Sequence, residues 1–299
     1  MKEGYWAIRK YRSGPIGEAI KFWMPGERPS RMTRQIRREI QRASKNSGSQ
    51  IRTGSRIVNE NFGEGDALMG LDYSEEGLEK LKALIPETAT EEEAENMLFD
   101  LAEHQMELFI RRTMRQMKKD GVELLYFAVT SDRKWLEETG ELIPVRIHHH
   151  LIVNEEAKEY IMAAWKAGGV DWKPMGAQPD YTGIVAYLLR QVRKVRKDKN
   201  AYKSSRNLKR PQAEDRLALS GAELRPPKGA VLLDRGAYQP GQPQYIRYIL
   251  PNACEEEDLT EQYGVIKASA AIWHKRAEKQ KRRALRYGVQ KIDGSKNAV

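Results

Sequence analysis

The chain has 299 residues, 40% hydrophobic and 31% charged, enough to bury a core and to coat its surface with charge. A formal net charge of +10 and an isoelectric point near 9.5 favour a polyanionic partner, nucleic acid ahead of an anionic membrane surface. One cysteine, Cys254, excludes an intrachain disulfide framework and a thiolate zinc site and points to a reducing cytoplasm, and no apolar run approaches the roughly 18 residues of a spanning helix, so no membrane partner is expected.

In chain order, the polar start Met1-Lys2-Glu3 lacks a signal-peptide core. Residues 1–55 read as extended and then basic-helical, ending in the Asn46-Ser47-Gly48-Ser49 break, and 56–215 and 216–299 are taken as the two regions that follow. Gly63-Glu64-Gly65-Asp66 is a turn signal before a strand over 67–73, and it lacks the Lys-Ser/Thr of a phosphate loop. Thr90 followed by Glu91, Glu92 and Glu93 predicts an N-cap with a capping box. The helix it opens carries Leu98, Leu101 and Phe109, treats Met97, Met106, Met114 and Met117 as core filler, and stops at Gly121. A buried strand over 124–130, a charged loop through Trp135 and Gly140, and a second strand over 144–153 make a hairpin-like pair. A helix over 155–167, a short strand over 170–172 and a helix from Asp180 come next, so a mixed or antiparallel sheet is expected.

Side chains alternate along a strand, which puts Val145, Ile147, His149, Leu151 and Val153 on one face and Arg146, His148, His150 and Ile152 on the other. His149 is then core-facing. His148 and His150 project together, close enough to bind one metal ion, and Arg146 beside them suits a phosphate. A surface histidine cluster without a ligand is the plain alternative.

On a helical wheel, Tyr181, Ile184, Val185, Leu188, Val192 and Val195 form the core stripe of the next helix. Tyr187 falls off it, beside Gly183, Arg190, Gln191 and Lys194. Gln191, one turn on, offers an amide oxygen to complete a site begun by His148 and His150; Glu141 before the histidine strand is the second candidate. Taken alone, Tyr187 also fits an ordinary amphipathic tyrosine. Basic residues crowd the end of this helix and the segment beyond it: Arg190, Arg193, Lys194, Lys203, Arg206, Lys209 and Arg210, with Tyr202 interleaved to stack a base. A second run spans Lys275 to Arg286. Any one such run is equally a solvated helix face.

His148-His149-His150 followed by apolar residues resembles the His-hydrophobic-His motif of the HUH endonucleases, and Tyr187-Leu188-Leu189-Arg190 resembles their tyrosine helix, with Arg in place of the usual Lys. Asn61 to Tyr73, Val129-Thr130, Arg146 to Asn154 and Ser204-Ser205-Arg206-Asn207-Leu208 extend the likeness, in order, to the rolling-circle replication initiators of phages and plasmids, across residues 57 to 212. His149 departs from the usual hydrophobe, and Ser131 stands where relatives often carry an acid. The resemblance implies an α+β fold, a central antiparallel sheet with a ferredoxin-like (RRM-like) helix arrangement, the domain lying in 56–215 between a basic N-terminal segment and a C-terminal region with a basic helical tail. It implies Tyr187 as nucleophile, Mg²⁺ or Mn²⁺ as cofactor, a 5′-phosphotyrosine intermediate on single-stranded DNA at an origin hairpin, and a separate host helicase and polymerase. A transposase or relaxase-like strand transferase of the same chemistry, or a non-catalytic DNA-binding protein, are the competing readings.

Overall fold

The strand built around the three histidines is the centre of the architecture. In the computed structural model, the described residues are 4–24, 47–136, 138–139, 141–192, 201–218, 223–236 and 244–251. The protein is α+β, with two five-stranded antiparallel sheets. The histidine-bearing sheet contains β3 (Ala67–Asp72), β4 (Tyr126–Leu136), β5 (Glu141–Val153), β6 (Val170–Pro174) and β7 (Lys203–Ser204), in the order β6-β3-β5-β4-β7. The other contains β1 (Tyr5–Ser13), β2 (Ile16–Met24), β8 (Glu214–Ala218), β9 (Val231–Arg235) and β10 (Gln244–Ile249), in the order β8-β1-β2-β10-β9.

Helices cover both faces of the histidine sheet. On one lie α2 (Glu75–Lys82), α3 (Glu91–Lys119) and α4 (Lys158–Ala164), the last entered through a 3-10 turn at Glu155–Ala157. Phe99, Met106, Phe109, Met117, Ile161 and Trp165 pack there on Met69, Leu71, Ile147, Leu151 and Val153. On the other lie α1 (Ser47–Asn61) and α5 (Thr182–Arg190), whose Ile57, Val58, Val185, Leu188 and Leu189 pack on Phe127, Val129 and Ile152. Alternation along β5 therefore feeds two different cores. Chain order β3-α3-β4-β5-α4-β6 gives the sheet its strand sequence, with α3 and α4 on the same face.

The β1–β2 sheet docks on the outside of α1. Arg56 of α1 lies 3.5 Å from the centre of the Tyr11 ring and makes two bonds, of 3.0 and 2.6 Å, to the buried carboxylate of Glu18 on β2. Arg247 of β10 bonds Asp180, at the entry to α5, at 2.9 Å.

Several local expectations hold. Thr90 Oγ1 accepts from Glu93 N while the Glu93 carboxylate accepts from Thr90 N, completing the capping box, and Gly121 follows the helix end with φ 72°. Others give way to packing. Within the break placed at Asn46 to Ser49, Ser47 to Ser49 instead open α1, which carries Ile57 and Val58 onto the sheet, and Asn46 lies outside the described residues. Residues 5–24 are extended as read and form the β1–β2 hairpin, residues 25–46 of the expected basic helix lie outside the described residues, and the boundaries at 55 and 215 fall inside α1 and β8. Trp135 belongs to a strand, since β4 and β5 keep pairing to Leu136 and Glu141. Met106 and Met117 are core, whereas Met97 and Met114 are 42% and 38% exposed. The helix read over 155–167 is a 3-10 turn and a short α4. Residues 275–286, expected as a basic tail, lie outside the described residues. Among the described residues no helix is long and apolar enough to cross a membrane.

Candidate functional site

The face of β5 that lies toward α5 carries His148, His150 and Ile152, and the opposite face carries Ile147, His149, Leu151 and Val153. His149 is fully buried. Burial lowers its pKa to about 3, so it is neutral.

His148 and His150 converge. Their Nε2 atoms lie 3.1 Å apart and their rings meet edge-on, with centres 4.8 Å apart. His148 Nδ1 donates to the Arg146 carbonyl at 2.8 Å, which leaves its Nε2 with the lone pair. A bond of this kind from the second ring nitrogen is typical of metal-bound histidine. Two nitrogens each about 2.0–2.1 Å from a shared ion lie about 3 Å apart, so the pair fits one divalent cation. Burial, then the neighbouring His148 and Lys173, lowers the His150 pKa to about 4, so its imidazole is neutral at neutral pH.

Tyr187 on α5 stands over this pair, its ring centre 6.4 Å from that of His150 and 45% of its surface exposed. Tyr181, the other tyrosine of that segment, is buried in the core, and its hydroxyl donates to Gly176 O at 3.0 Å. The helix places the two as the wheel predicts. Its start is clasped: Asn59 of α1 accepts from Tyr181 N at 2.7 Å and donates to Asp180 at 3.1 Å, while Asp180 also accepts from Thr182 N and Arg247.

Gln191 ends α5 instead of continuing it. It is 2% exposed, its Nε2 donates to Tyr187 O at 3.3 Å, and its own carbonyl accepts from Ser131 Oγ at 2.5 Å. Since Ser131 pairs with His148 across the sheet, the residue standing in the acid's place ties the tyrosine helix to the histidine strand. Glu141 cannot be the further ligand: seven residues of extended strand separate it from His148, about 23 Å. Among the described residues no three His, Cys, Asp or Glu side chains are already close enough together to hold a metal ion, so a third protein ligand would have to turn toward the pair.

Two residues escape a reading of the sequence. Asp72 on β3 is the direct cross-strand partner of His148 and is exposed on the same face. Lys173 on β6 shares that face through Leu68 and Ile152, adding a cation near His150. Alternation along β3 and β6 carries the signal, but the pairing partners emerge only with the sheet. Gly70, opposite His150, leaves the space beside the imidazole open; a Cβ there would meet nothing nearer than Asp171 Cβ at 3.9 Å.

The basic residues divide. Arg146 and Arg190 are exposed next to the pair and the tyrosine. Arg206, Lys209 and Arg210 are exposed after β7, with β4 between them and β5. Lys203 turns the other way: it pairs with Ala128, a residue of the α3-side core, and its ammonium bonds Glu107 at 2.5 Å and lies 3.7 Å from Glu103. Tyr202 is stacked on Phe127 with ring centres 4.5 Å apart, so it serves packing and not a base. Arg193 and Lys194 lie outside the described residues.

The site belongs to an α+β protein with a half-buried histidine pair facing a tyrosine. No protein-family model matches the chain, and no curated protein or solved structure matches it either.

Proposed function

We propose that this protein cuts and rejoins single-stranded DNA as a metal-dependent HUH-type strand transferase, serving as a rolling-circle replication initiator. One observation carries the reading: two imidazole Nε2 atoms converge at 3.1 Å on the α5-facing side of a central strand, with the Tyr187 ring beside them. The order β3-α3-β4-β5-α4-β6, with strands arranged β6-β3-β5-β4 and both helices on one face, is the pattern a ferredoxin-like sheet requires and supports the same reading.

His148 and His150 would hold Mg²⁺ or Mn²⁺, with Asp72 or Gln191 as the further protein ligand. A divalent cation bound there supplies electrophilic stabilisation of the charge developing on the scissile phosphate. Arg146, Arg190 and Lys173 hold neighbouring phosphates, and the open space above Gly70 admits the strand. Tyr187 Oη attacks phosphorus, the bond to the 3′ oxygen breaks, and the 5′ phosphate stays on the tyrosine. Attack by a 3′-hydroxyl on that phosphotyrosine reverses the step without a nucleotide cofactor.

The test uses pooled randomised single-stranded oligonucleotides with Mn²⁺, resolved on a denaturing gel. Oligonucleotides labelled at the 3′ end are expected to become protein-linked, and those labelled at the 5′ end to be released shortened. The adduct should vanish in Tyr187→Phe and persist in Tyr181→Phe. An adduct that survives Tyr187→Phe sinks the nucleophile assignment; retarded DNA with no adduct on any metal favours a non-catalytic binding protein.

A further inference from the structure

The helical layer on the far side of the histidine sheet is not closed. α3 runs for 29 residues, but α2 and α4 beside it have only 8 and 7. Between the three lies a cleft of about 710 Å³, on the sheet face opposite to His148, His150 and Tyr187. Pockets that hold small molecules run from about 300 to 1,000 Å³, so this is room for a ligand and not a packing flaw.

Its floor is apolar and fixed. Phe109 and Trp165 are buried and meet edge-on with centres 5.1 Å apart, and the Trp165 indole N–H donates to Asp72 O at 3.1 Å. The α4 wall is low, because Ala163 and Ala164 stand exposed there and carry only a methyl each.

Charge around the cleft is unbalanced. Glu76 is taken by Lys80 at 2.6 Å, and Asp120 at the far end of α3 accepts from Gln116 at 3.4 Å. Arg112 of α3 and Lys166 just after α4 also line the cleft, both exposed, and neither has an ion pair among the described residues. Neither has an acid three or four residues away on its own element, and Glu107 is engaged by Lys203 and Arg111. Cations without a counter-charge beside an apolar floor suit an anion that brings a flat hydrophobic body with it. Gln105, one turn before Phe109, bonds no other described group. Its amide offers a donor and an acceptor side by side, the pattern that matches the edge of adenine.

We propose that the cleft between α2, α3 and α4 binds a purine mononucleotide, with its phosphate on Arg112 and Lys166, its base over Phe109 and Trp165, and the Gln105 amide at the base edge. The site shares no side chain with the histidine–tyrosine centre and does not rest on the strand-transfer reading.

The test is calorimetry on the full chain with deoxyadenosine monophosphate, deoxyadenosine and inorganic phosphate as separate probes. The monophosphate is expected to bind, and the other two at least about 10-fold more weakly, since each keeps only part of the contacts. Arg112→Gln and Lys166→Gln remove exposed charges outside the core and should each weaken the monophosphate about 10-fold. Ala163→Leu, a good helix former that fills the cleft, should abolish binding. The Trp165 indole N–H resonance, assigned through Trp165→Phe, should move during the titration. Phosphate that binds as tightly as the monophosphate overturns the nucleotide assignment. Binding unchanged in Arg112→Gln, or lost in Arg190→Ala while Arg112→Gln keeps it, places the nucleotide elsewhere and overturns the site. No binding of the monophosphate at millimolar concentration overturns it as well. If Ala163→Leu unfolds by circular dichroism, the Arg112→Gln and Lys166→Gln affinities decide.

Discussion

Gly70 allows stability and activity to be moved in opposite directions at one position. It sits in mid-strand opposite His150, with backbone dihedrals any residue can adopt and 3.9 Å of clearance to the nearest atom around a new Cβ. Glycine in a strand costs about 0.5–1 kcal/mol relative to alanine, so Gly70→Ala should stabilise the fold by that amount and raise Tm by about 1–4 °C. Gly70→Val keeps that gain, because a β-branched side chain suits a pleated surface, but its methyls reach about 1.5 Å beyond the Cβ into the space beside the imidazole. Displacing a reacting phosphate by an ångström costs on the order of 100-fold. The expected result is a Val variant at least as stable as the parent in urea that forms the 3′-labelled adduct about 100-fold more slowly, with Ala within a few-fold of the parent. Full adduct formation by Gly70→Val would refute the proposed path of the DNA strand.

Arg247→Leu removes a charge-assisted bond from Asp180 while Asn59 and Thr182 keep theirs; it should cost about 1.5–3 kcal/mol in urea unfolding and slow adduct formation without weakening Mn²⁺ binding. Arg56→Met takes the cation from the buried Glu18 carboxylate, leaving it the Tyr245 hydroxyl at 3.3 Å, and should cost about 3–5 kcal/mol, with much of the loss recovered in the Arg56→Met, Glu18→Leu double variant. Arg190→Ala should reduce the salt slope of single-stranded DNA binding by about 1, whereas Lys203→Ala should leave it unchanged, as fluorescence anisotropy against salt will read. The hydrogen bond from Lys203 lowers the Glu107 pKa, so that pair stabilises the fold above the ordinary carboxylate range and loses its effect as pH falls and Glu107 takes a proton; the destabilisation in Lys203→Ala should shrink in the same acidic window.

Features set by local chemistry are legible in the sequence itself: the capping box at Thr90, the turn ahead of β3, and the alternation that separates His149 from His148 and His150. The Tyr181 and Tyr187 faces come from helical periodicity for the same reason. Relations between strands are not legible in this way. Asp72 is unremarkable until β3 lies antiparallel to β5, and Lys203 passes for a phosphate contact until α3 brings Glu103 and Glu107 to it. Helix length is likewise hidden: Val192 continues the apolar stripe, yet α5 ends at Arg190 and Ser131 takes the Gln191 carbonyl. The N-terminal segment reads as extended, but the sheet it joins is not legible, since β1 and β2 meet β8 and β10 across more than two hundred residues.

That last pairing sets an order of assembly. Ile16 is matched with Ile249 and Lys21 with Gln244, so a growing chain carries the β1–β2 hairpin without its β10 neighbour until nearly the whole described sequence has left the ribosome. A lone hairpin is marginal in water, and closure across such a distance is slow. The strand that arrives last also bears Arg247, which clasps the entry to the tyrosine helix. Pairing of β10 into the outer sheet and final seating of the helix that carries Tyr187 are therefore one late event in the birth of the molecule.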